Sequence, residues 1–465
     1  MDDCLTLTAT QLLEAYRRKT LSPSEYVEAL IAHIERWEPH LNALYAYRPE
    51  ALREAAQASS RRWARGEPVG MLDGVPVTLK ELIATQGLPV PHGTLAGEHP
   101  PAMEDAPPAA RLNEDGALLV AKTTCPDYGM LSSGLSSFHG LTRNPWNLDC
   151  NPGGSSSGAA AAAAAGYGPL HVGTDIGGSI RLPAAWCGVV GFKPTLGRIP
   201  IDPYYVGRCS GPMTRCVDDA ALMMSTLSRT DRRDAMRLPP EKIDWQDLDC
   251  DVSGMRLGVM MEAGCGLPLD EEIRSGVEAA ARQFEAAGAT LVSLEPVMTR
   301  EMLDGLDRFW RVRQWNELEL LAPEERARVL PVILAWADDG ARLSGIEVMR
   351  GFQQTMNIRR ATEAVFDEVD AVLSPTTPNV EFPADWASPV NDPQRPFEHI
   401  VYTVPWNMGE QPAISLNAAF NDSGMPIGVQ IVAPRFADRL VLQLAKAYET
   451  WRGPPSCWPL PPAEH

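Results

Sequence analysis

The sequence predicts an α/β protein built around a buried, mixed β-sheet, and three observations carry that expectation. The first ~65 residues carry helical patterns. Between Gly66 and about Arg229 the texture changes to short apolar runs punctuated by Gly and Pro, among them GVPVTL, GALLVAK, HVGTD and GVVGFKP. Further on, MRLGVM, a helix-patterned stretch from Asp270 to Ala287 and ATLVSLE form a βαβ-like unit. Short apolar runs that alternate with helices are the signature of strands covered on both faces.

Taken in order, Leu12, Leu13 and Tyr16 share one face of a first helix. Ser22 followed by Pro23 opens a second, whose apolar positions include Tyr26, Leu30, Ile31 and Ile34, and a third runs from about Pro49 to Arg65. The charged stretch from Arg229 to Asp251 reads as a surface connection. Residues from about Thr299 to Val369 read as helices, and the strand DAVLSP follows. The segment from Asn379 to Pro405, rich in Pro, Asp and aromatics, is too long for a simple connection and has the length of a functional lid. PAISLNAAF and IGVQIVA return to strand texture before a last helix near Leu440 to Thr450. One unit over 1–465 is expected. It divides into a helical segment (1–66), a core carrying the motifs (67–230), a βαβ and helical region (231–378), the lid-like loop (379–406) and a closing sheet and helix (407–465).

The 465 residues are 45% hydrophobic and 22% charged, as in ordinary globular proteins. A formal net charge of −19, from 60 acidic and 41 basic residues, argues against nucleic-acid binding, because phosphate backbones repel such a surface. The basic clusters Arg61-Arg62 with Arg65, and Arg359-Arg360, sit in helical patterns and read as solvated faces. Nine scattered cysteines do not read as a disulfide framework and fit a reducing cytoplasm. The N-terminus is unlike a signal peptide, and no stretch of ~18 apolar residues is present, so no membrane span is expected.

Three motifs carry chemistry. Lys80 ends the apolar run GVPVTLK, where desolvation would favour the neutral amine and make it a base; the alternative is a strand-end lysine reaching to water. PGGSSSGAAAAAAAG (152–166) places two glycines and three serines before an apolar helix; the alternative is a flexible linker. GTDIGGSIRLP (173–183) supplies consecutive backbone amides around Gly177-Gly178 with Ser179 at the end, as an oxyanion hole requires, and also fits a plain glycine turn.

Together, in this order, the three motifs closely resemble the amidase signature family. The flanks GLTRNPWN, GVVGFKPTLGRIP, GPMTR and GVQIVAP agree, and the likeness runs over roughly residues 5 to 450. The resemblance implies one large mixed sheet flanked by helices on both sides. It also implies a Lys–cis-Ser–Ser triad of Lys80, Ser155 and Ser179, the two serines being 24 residues apart. Ser179 would attack the carbonyl and form an acyl-enzyme, while Ser155 relays the proton towards Lys80. The amides of Ile176, Gly177, Gly178 and Ser179 would be the oxyanion donors, with Asp175 and Ser156 orienting the turn. No metal or cofactor is implied. KE at Lys80-Glu81, TTCPDYG and SLNAAF depart from the commonest family pattern, the last two near the expected acyl pocket.

Two rivals follow from the same residues. A Ser-His-Asp esterase would use Ser156, which satisfies G-x-S-x-G, with His171 or His399; that elbow needs a preceding strand, and RNPWNLDCNPG reads as loop. A glutamine amidase-type subunit of a tRNA-dependent amidotransferase would share fold and triad but need a partner. The helices between Met302 and Phe352 and the loop 379–405 should supply the pocket, with Phe309, Trp310, Trp315, Leu330, Ile333, Trp336, Phe382, Trp386 and Trp406 as its aromatic and apolar candidates. With no pair of arginines readable as a carboxylate clamp, the substrate expected is an uncharged small or aryl amide, or a carbamate. A monomer or homodimer is expected.

Overall fold

In the computed structural model, which describes residues 3–455 and 457–462, eleven strands form one mixed sheet. In chain order the strands are β1 (Leu44–Tyr45), β2 (Pro76–Lys80), β3 (Leu118–Thr123), the small separate pair β4 (Leu135–Ser136) and β5 (Gly140–Leu141), then β6 (Leu170–Asp175), β7 (Val190–Lys193) and β8 (Cys209–Thr214). They continue with β9 (Arg256–Val259), β10 (Thr290–Ser293), β11 (Ala371–Pro375), β12 (Ala413–Phe420) and β13 (Pro426–Val432). The spatial order is β1-β3-β2-β6-β8-β7-β12-β13-β11-β9-β10. β3, β2 and β6 are parallel neighbours, as are β11, β9 and β10, and the strands between them pair antiparallel.

Both faces of the sheet are covered. Leu373, Ile414 and Ile431 belong to one apolar cluster, while their chain neighbours Val372, Ala413 and Val432 belong to another that holds Trp310 and Trp406. Since successive strand residues point to opposite faces, the two clusters sandwich the sheet. At the N-terminus the second expected helix, Pro23–Leu41, is opened by Ser22, whose hydroxyl accepts from the Glu25 amide while the Glu25 side chain caps in return. The third runs Pro49–Arg65 as its pattern predicts. β9, the helix Glu271–Ala286 and the parallel strand β10 make the expected βαβ unit.

The alanine-rich helix, Ser157–Ala165, is buried along its whole length. A Cβ at Gly158 would lie 2.2 Å from the Ala43 carbonyl oxygen, so only a residue without a side chain lets this helix approach β1 and β3 so closely.

Residues 379–406 depart from the lid expectation. Their second half, from Phe397 to Trp406, is buried rather than free. Arg300 pairs in bidentate fashion with Glu398 at 2.6 and 2.7 Å, and the Arg311 guanidinium donates to the carbonyls of Pro393 and Gln394 at 3.1 Å. These charge-assisted bonds, with the packing of Phe397, Ile400 and Val401, make the segment a wall of the core. No described helix is long and apolar enough to cross a membrane.

Candidate active site

The three motifs converge at the carboxyl ends of the parallel neighbours β2 and β6, the usual place for a ligand site in parallel sheets. Leu79 lies opposite Val172, so the register sets Lys80 beside the last residues of β6. Its side chain is fully buried, and Nζ donates to Ser155 Oγ at 2.7 Å and to Thr174 Oγ1 at 3.0 Å. The strand-end lysine reaching to water is thereby excluded. Burial pushes the Lys80 ammonium down from 10.5 to about 8; Arg208 adds to this, and Cys125, Asp175 and Glu81 oppose it only in part.

The Gly-Ser stretch is fixed, not a linker. The Gly154-Ser155 peptide is cis, the Ser157 hydroxyl donates to the Ser133 carbonyl at 2.7 Å, and Asn151 Oδ1 accepts from the Gly153 amide at 2.9 Å. Ser156 Oγ bridges the carbonyl and the amide of Thr174 at 3.2 Å each, and its own amide donates to the Ser179 carbonyl at 3.1 Å. Ser156 thus ties the serine stretch to the glycine turn with its hydroxyl already engaged.

Ser179 is partly exposed, and among the described residues its hydroxyl has no hydrogen-bond partner. It lines, with Ser155, a cavity of about 250 Å³. The turn that presents it is held by Asp175, whose carboxylate accepts from the amides of Gly178 (2.8 Å) and Ile180 (3.1 Å), from Arg181 Nε and Nη2 (3.0 and 2.9 Å) and from Asn407 Nδ2 (2.8 Å). Burial alone would raise this carboxyl, but Arg181 and these donors outweigh it and hold it at about 2. Gly178 adopts φ +128°, and a Cβ there would meet Thr403 Oγ1 at 2.4 Å, so the turn requires glycine.

This corrects one expectation. The Gly178 amide, expected among four oxyanion donors, is already given to Asp175, because the carboxylate that shapes the turn needs it. The amides of Ile176, Gly177 and Ser179 have no protein acceptor among the described residues, which leaves three donors beside the Ser179 hydroxyl.

The histidines of the rival reading lie elsewhere. His171 is fully buried, paired through Nδ1 with Thr78 Oγ1 at 2.8 Å and through Nε2 with the Gly168 carbonyl at 3.1 Å. Among the described residues neither ring nitrogen of His399 has a hydrogen-bond partner, and burial pushes both imidazoles down to about 3. No described strand directly precedes Ser156. A Ser-His-Asp site built on Ser156 with His171 or His399 therefore lacks both its elbow and its base.

Two spaces open from Ser179. One is a tight, largely apolar recess with about 30 Å³ free, walled by Met130, Leu131, Trp310, Phe397 and Ile400 beside the Gly177 turn, with Arg313 shared between it and the second space. The other is the 250 Å³ cavity on the Ser155 side, which carries Tyr128, Arg208, Arg313, Gln314 and, at its exposed edge, Glu317. The expectation that no arginine pair faces the site does not hold. Arg208 begins just before β8 and Arg313 lies in the helix Arg300–Glu319, segments brought together only by the fold. Of the expected pocket residues, Trp310 lines the recess, whereas Trp406, Ile333 and Trp336 are core. Thr174 and Arg181 lie inside a motif already read but were not singled out.

Comparison with known proteins gives a consistent picture. The amidase family profile matches residues 25–442. The chain is 34% identical to a glutamyl-tRNA(Gln) amidotransferase subunit from Chloroflexus aggregans, over 95% of this chain and 96% of that one. It is 32% identical to an acylamidase of Rhodococcus erythropolis, over 96% and 95%. Among solved structures, a bacterial aryl acylamidase of the amidase signature family superposes with a TM-score of 0.87 at 31% identity, covering 97% of each chain.

Proposed function

Because the chain belongs to the amidase signature family, a family of amide C–N hydrolases, we propose that it cleaves small amides by itself through a Ser179 acyl-enzyme. The observation that carries this reading is the Lys80 amine, fully buried, with its ammonium pushed to about 8, bonded to Ser155 within the cavity that Ser179 enters. Ser179 Oγ attacks the carbonyl, Ser155 passes the proton towards Lys80, and the same relay later returns it to the leaving amine. The amides of Ile176, Gly177 and Ser179 receive the developing oxyanion; one such donor is worth roughly 3–4 kcal/mol in other hydrolases. Water then resolves the acyl-enzyme. Asp175 and Ser156 act as positioning residues.

The sizes of the two spaces support a division of the substrate. Space of about 30 Å³ takes on the order of two small groups, given that a single water occupies roughly 10–15 Å³ by the same measure. The acyl side is therefore short and apolar, acetyl or propionyl, or the alkoxy group of a small carbamate. The larger cavity beside Ser155 receives the amine, aryl amines included. Similarity to an acylamidase and an aryl acylamidase agrees with this division. We place the protein in the cytoplasm, in keeping with nine cysteines all free of disulfides, and as a monomer or homodimer.

The 34% identity to an amidotransferase subunit supports a second reading, a glutamine amidase that works only within a complex. Purified chain alone, assayed with acetanilide, short primary amides, ethyl N-phenylcarbamate and glutamine, separates the two. The proposal expects release of aniline without a partner; turnover confined to glutamine, or none until a partner is added, contradicts it.

A further inference from the structure

The wall of the larger cavity is built from donors with nothing to donate to. Arg208 is bonded only to the Pro203 carbonyl, at 3.3 Å, and among the described residues no carboxylate comes within ion-pairing distance of Arg208 or Arg313. Arg313 stacks over the Tyr205 ring, 4.1 Å from its centroid. Gln314 lines the same cavity and is only 3% exposed, and among the described residues its Nε2 makes no hydrogen bond. Both guanidiniums are half-buried, and the buried Gln314 amide N–H left unpaired beside them is unfavourable, which a ligand that supplies the missing acceptor would relieve.

The acids nearby do not supply it: Asp202 favours the charged Arg208 guanidinium but does not come within ion-pairing distance. Asp175 lines the cavity too, but Arg181, Asn407 and two backbone amides occupy its carboxylate. Glu317, one helical turn beyond Arg313, is exposed at the mouth and does not pair with it. Arg181, Arg198 and Arg311 are matched by Asp175, Asp438 and Asp307, whereas Arg215 is bonded to the carbonyls of Ala163 and Ala164.

We propose that Arg208, Arg313 and Gln314 form a carboxylate subsite for the leaving amine, so that the substrates are short N-acyl derivatives of amino acids, aromatic amino acids included. The side of the scissile bond follows from the chemistry. The departing nitrogen collects its proton from the Ser155–Lys80 relay, so the amine portion must lie against Ser155, and the cavity that holds Ser155 is the one that Arg208 and Gln314 line, with Arg313 shared between it and the recess. The acyl portion is left with the apolar recess beside the oxyanion amides. Burial lowers the Arg208 guanidinium to about 10, with Arg313 adding to the effect, which keeps it charged at neutral pH. This assignment rests on the amidase reading above and narrows its substrate class.

The test compares 3- and 4-acetamidobenzoate with their methyl esters, which lose the charge and gain one methyl group, and takes acetanilide as the neutral reference. Wild-type protein should prefer each acid, or at least one, in kcat/KM, chiefly through KM. Arg208→Gln should reduce the acid-to-ester ratio roughly 10- to 100-fold, the range for a lost charge-assisted bond pair. Arg313→Gln should reduce it too, and Arg208→Lys should restore part of it. Taking each ratio relative to wild type cancels the intrinsic reactivity of acid and ester, and urea titration reports that each variant folds. No preference for either acid, a ratio unmoved in both glutamine variants, or preference for an acid on the acyl side (N-phenylsuccinamate or glutamine) overturns the assignment. Loss of acetanilide turnover in the wild-type protein would instead sink the underlying amidase reading.

Discussion

Replacing Lys80 by methionine tests function and stability in opposite directions. The fall of its ammonium from 10.5 to about 8 on burial corresponds to about 3 kcal/mol, since one pKa step is ~1.4 kcal/mol. Because the folded value lies below the unfolded one, the folded state binds fewer protons between pH ~8 and ~10.5. Stability therefore rises with pH through that window, and the strain is fully present below it. At pH 7 Lys80→Met removes the buried ammonium and forfeits two hydrogen bonds, at ~1 kcal/mol each. The variant should then unfold within about 1–2 kcal/mol of wild type, or above it, in urea titrations.

Activity should behave otherwise. With a value of about 8, roughly 1% of the amine is neutral at pH 6, about 9% at pH 7 and half at pH 8. The wild-type kcat/KM should rise about ninefold from pH 6 to 7, about fivefold from 7 to 8, and level off above pH 9. Lys80→Met should lose about 10²- to 10⁴-fold, the usual contribution of a proton-transfer residue, and with it the acidic limb. A stable Lys80→Met protein with near wild-type turnover, or with the same limb, would refute the reasoning.

Three further outcomes follow from the packing of the site. Thr174→Val removes an acceptor that favours the charged amine, so the acidic limb should move to lower pH and kcat/KM at pH 6 should rise relative to its own plateau above pH 9. Arg181→Met leaves the Asp175 carboxylate buried without its cation, which should reduce stability by about 3–5 kcal/mol at pH 7, read as a lower urea midpoint. In the wild-type protein, by contrast, the carboxyl held at about 2 against its usual 3.8 contributes stability above pH ~4 that is lost as pH falls towards 2. Ile400→Ala enlarges the apolar recess, so turnover of butyryl anilides should gain on acetyl anilides, measured as the ratio of kcat/KM, at a stability loss of about 2–5 kcal/mol.

Much of this arrangement was legible because it is local. The helix start at Ser22-Pro23, the βαβ unit of 256–293 and the two glycine motifs each announce themselves within a few residues. Lys80, Ser155 and Ser179 were readable as a set because their motifs recur in one order, and the register of β2 against β6 then brings Lys80 to Ser155. What escaped depends on distant partners. That the Gly178 amide is taken by Asp175 is a matter of turn geometry, to which residue identity is blind. Arg208 and Arg313 lie in separate stretches with no motif between them, so an unpaired pair of cations could not be told from two solvated ones. The loop 379–406 reads as polar and irregular; Arg300 and Arg311, on a helix far back in the chain, are what bind it into the core.

The claim on which the account turns is that Ser179, not Ser156 or another hydroxyl, carries the acyl group. Rapid-quench mass spectrometry with 4-nitrophenyl acetate, followed by peptide mapping, reads this directly. The account predicts one acetyl group per chain on the peptide containing Ser179, absent in Ser179→Ala and retained in Ser156→Ala. An acetyl group on Ser156, or equal labelling in Ser179→Ala, would contradict it.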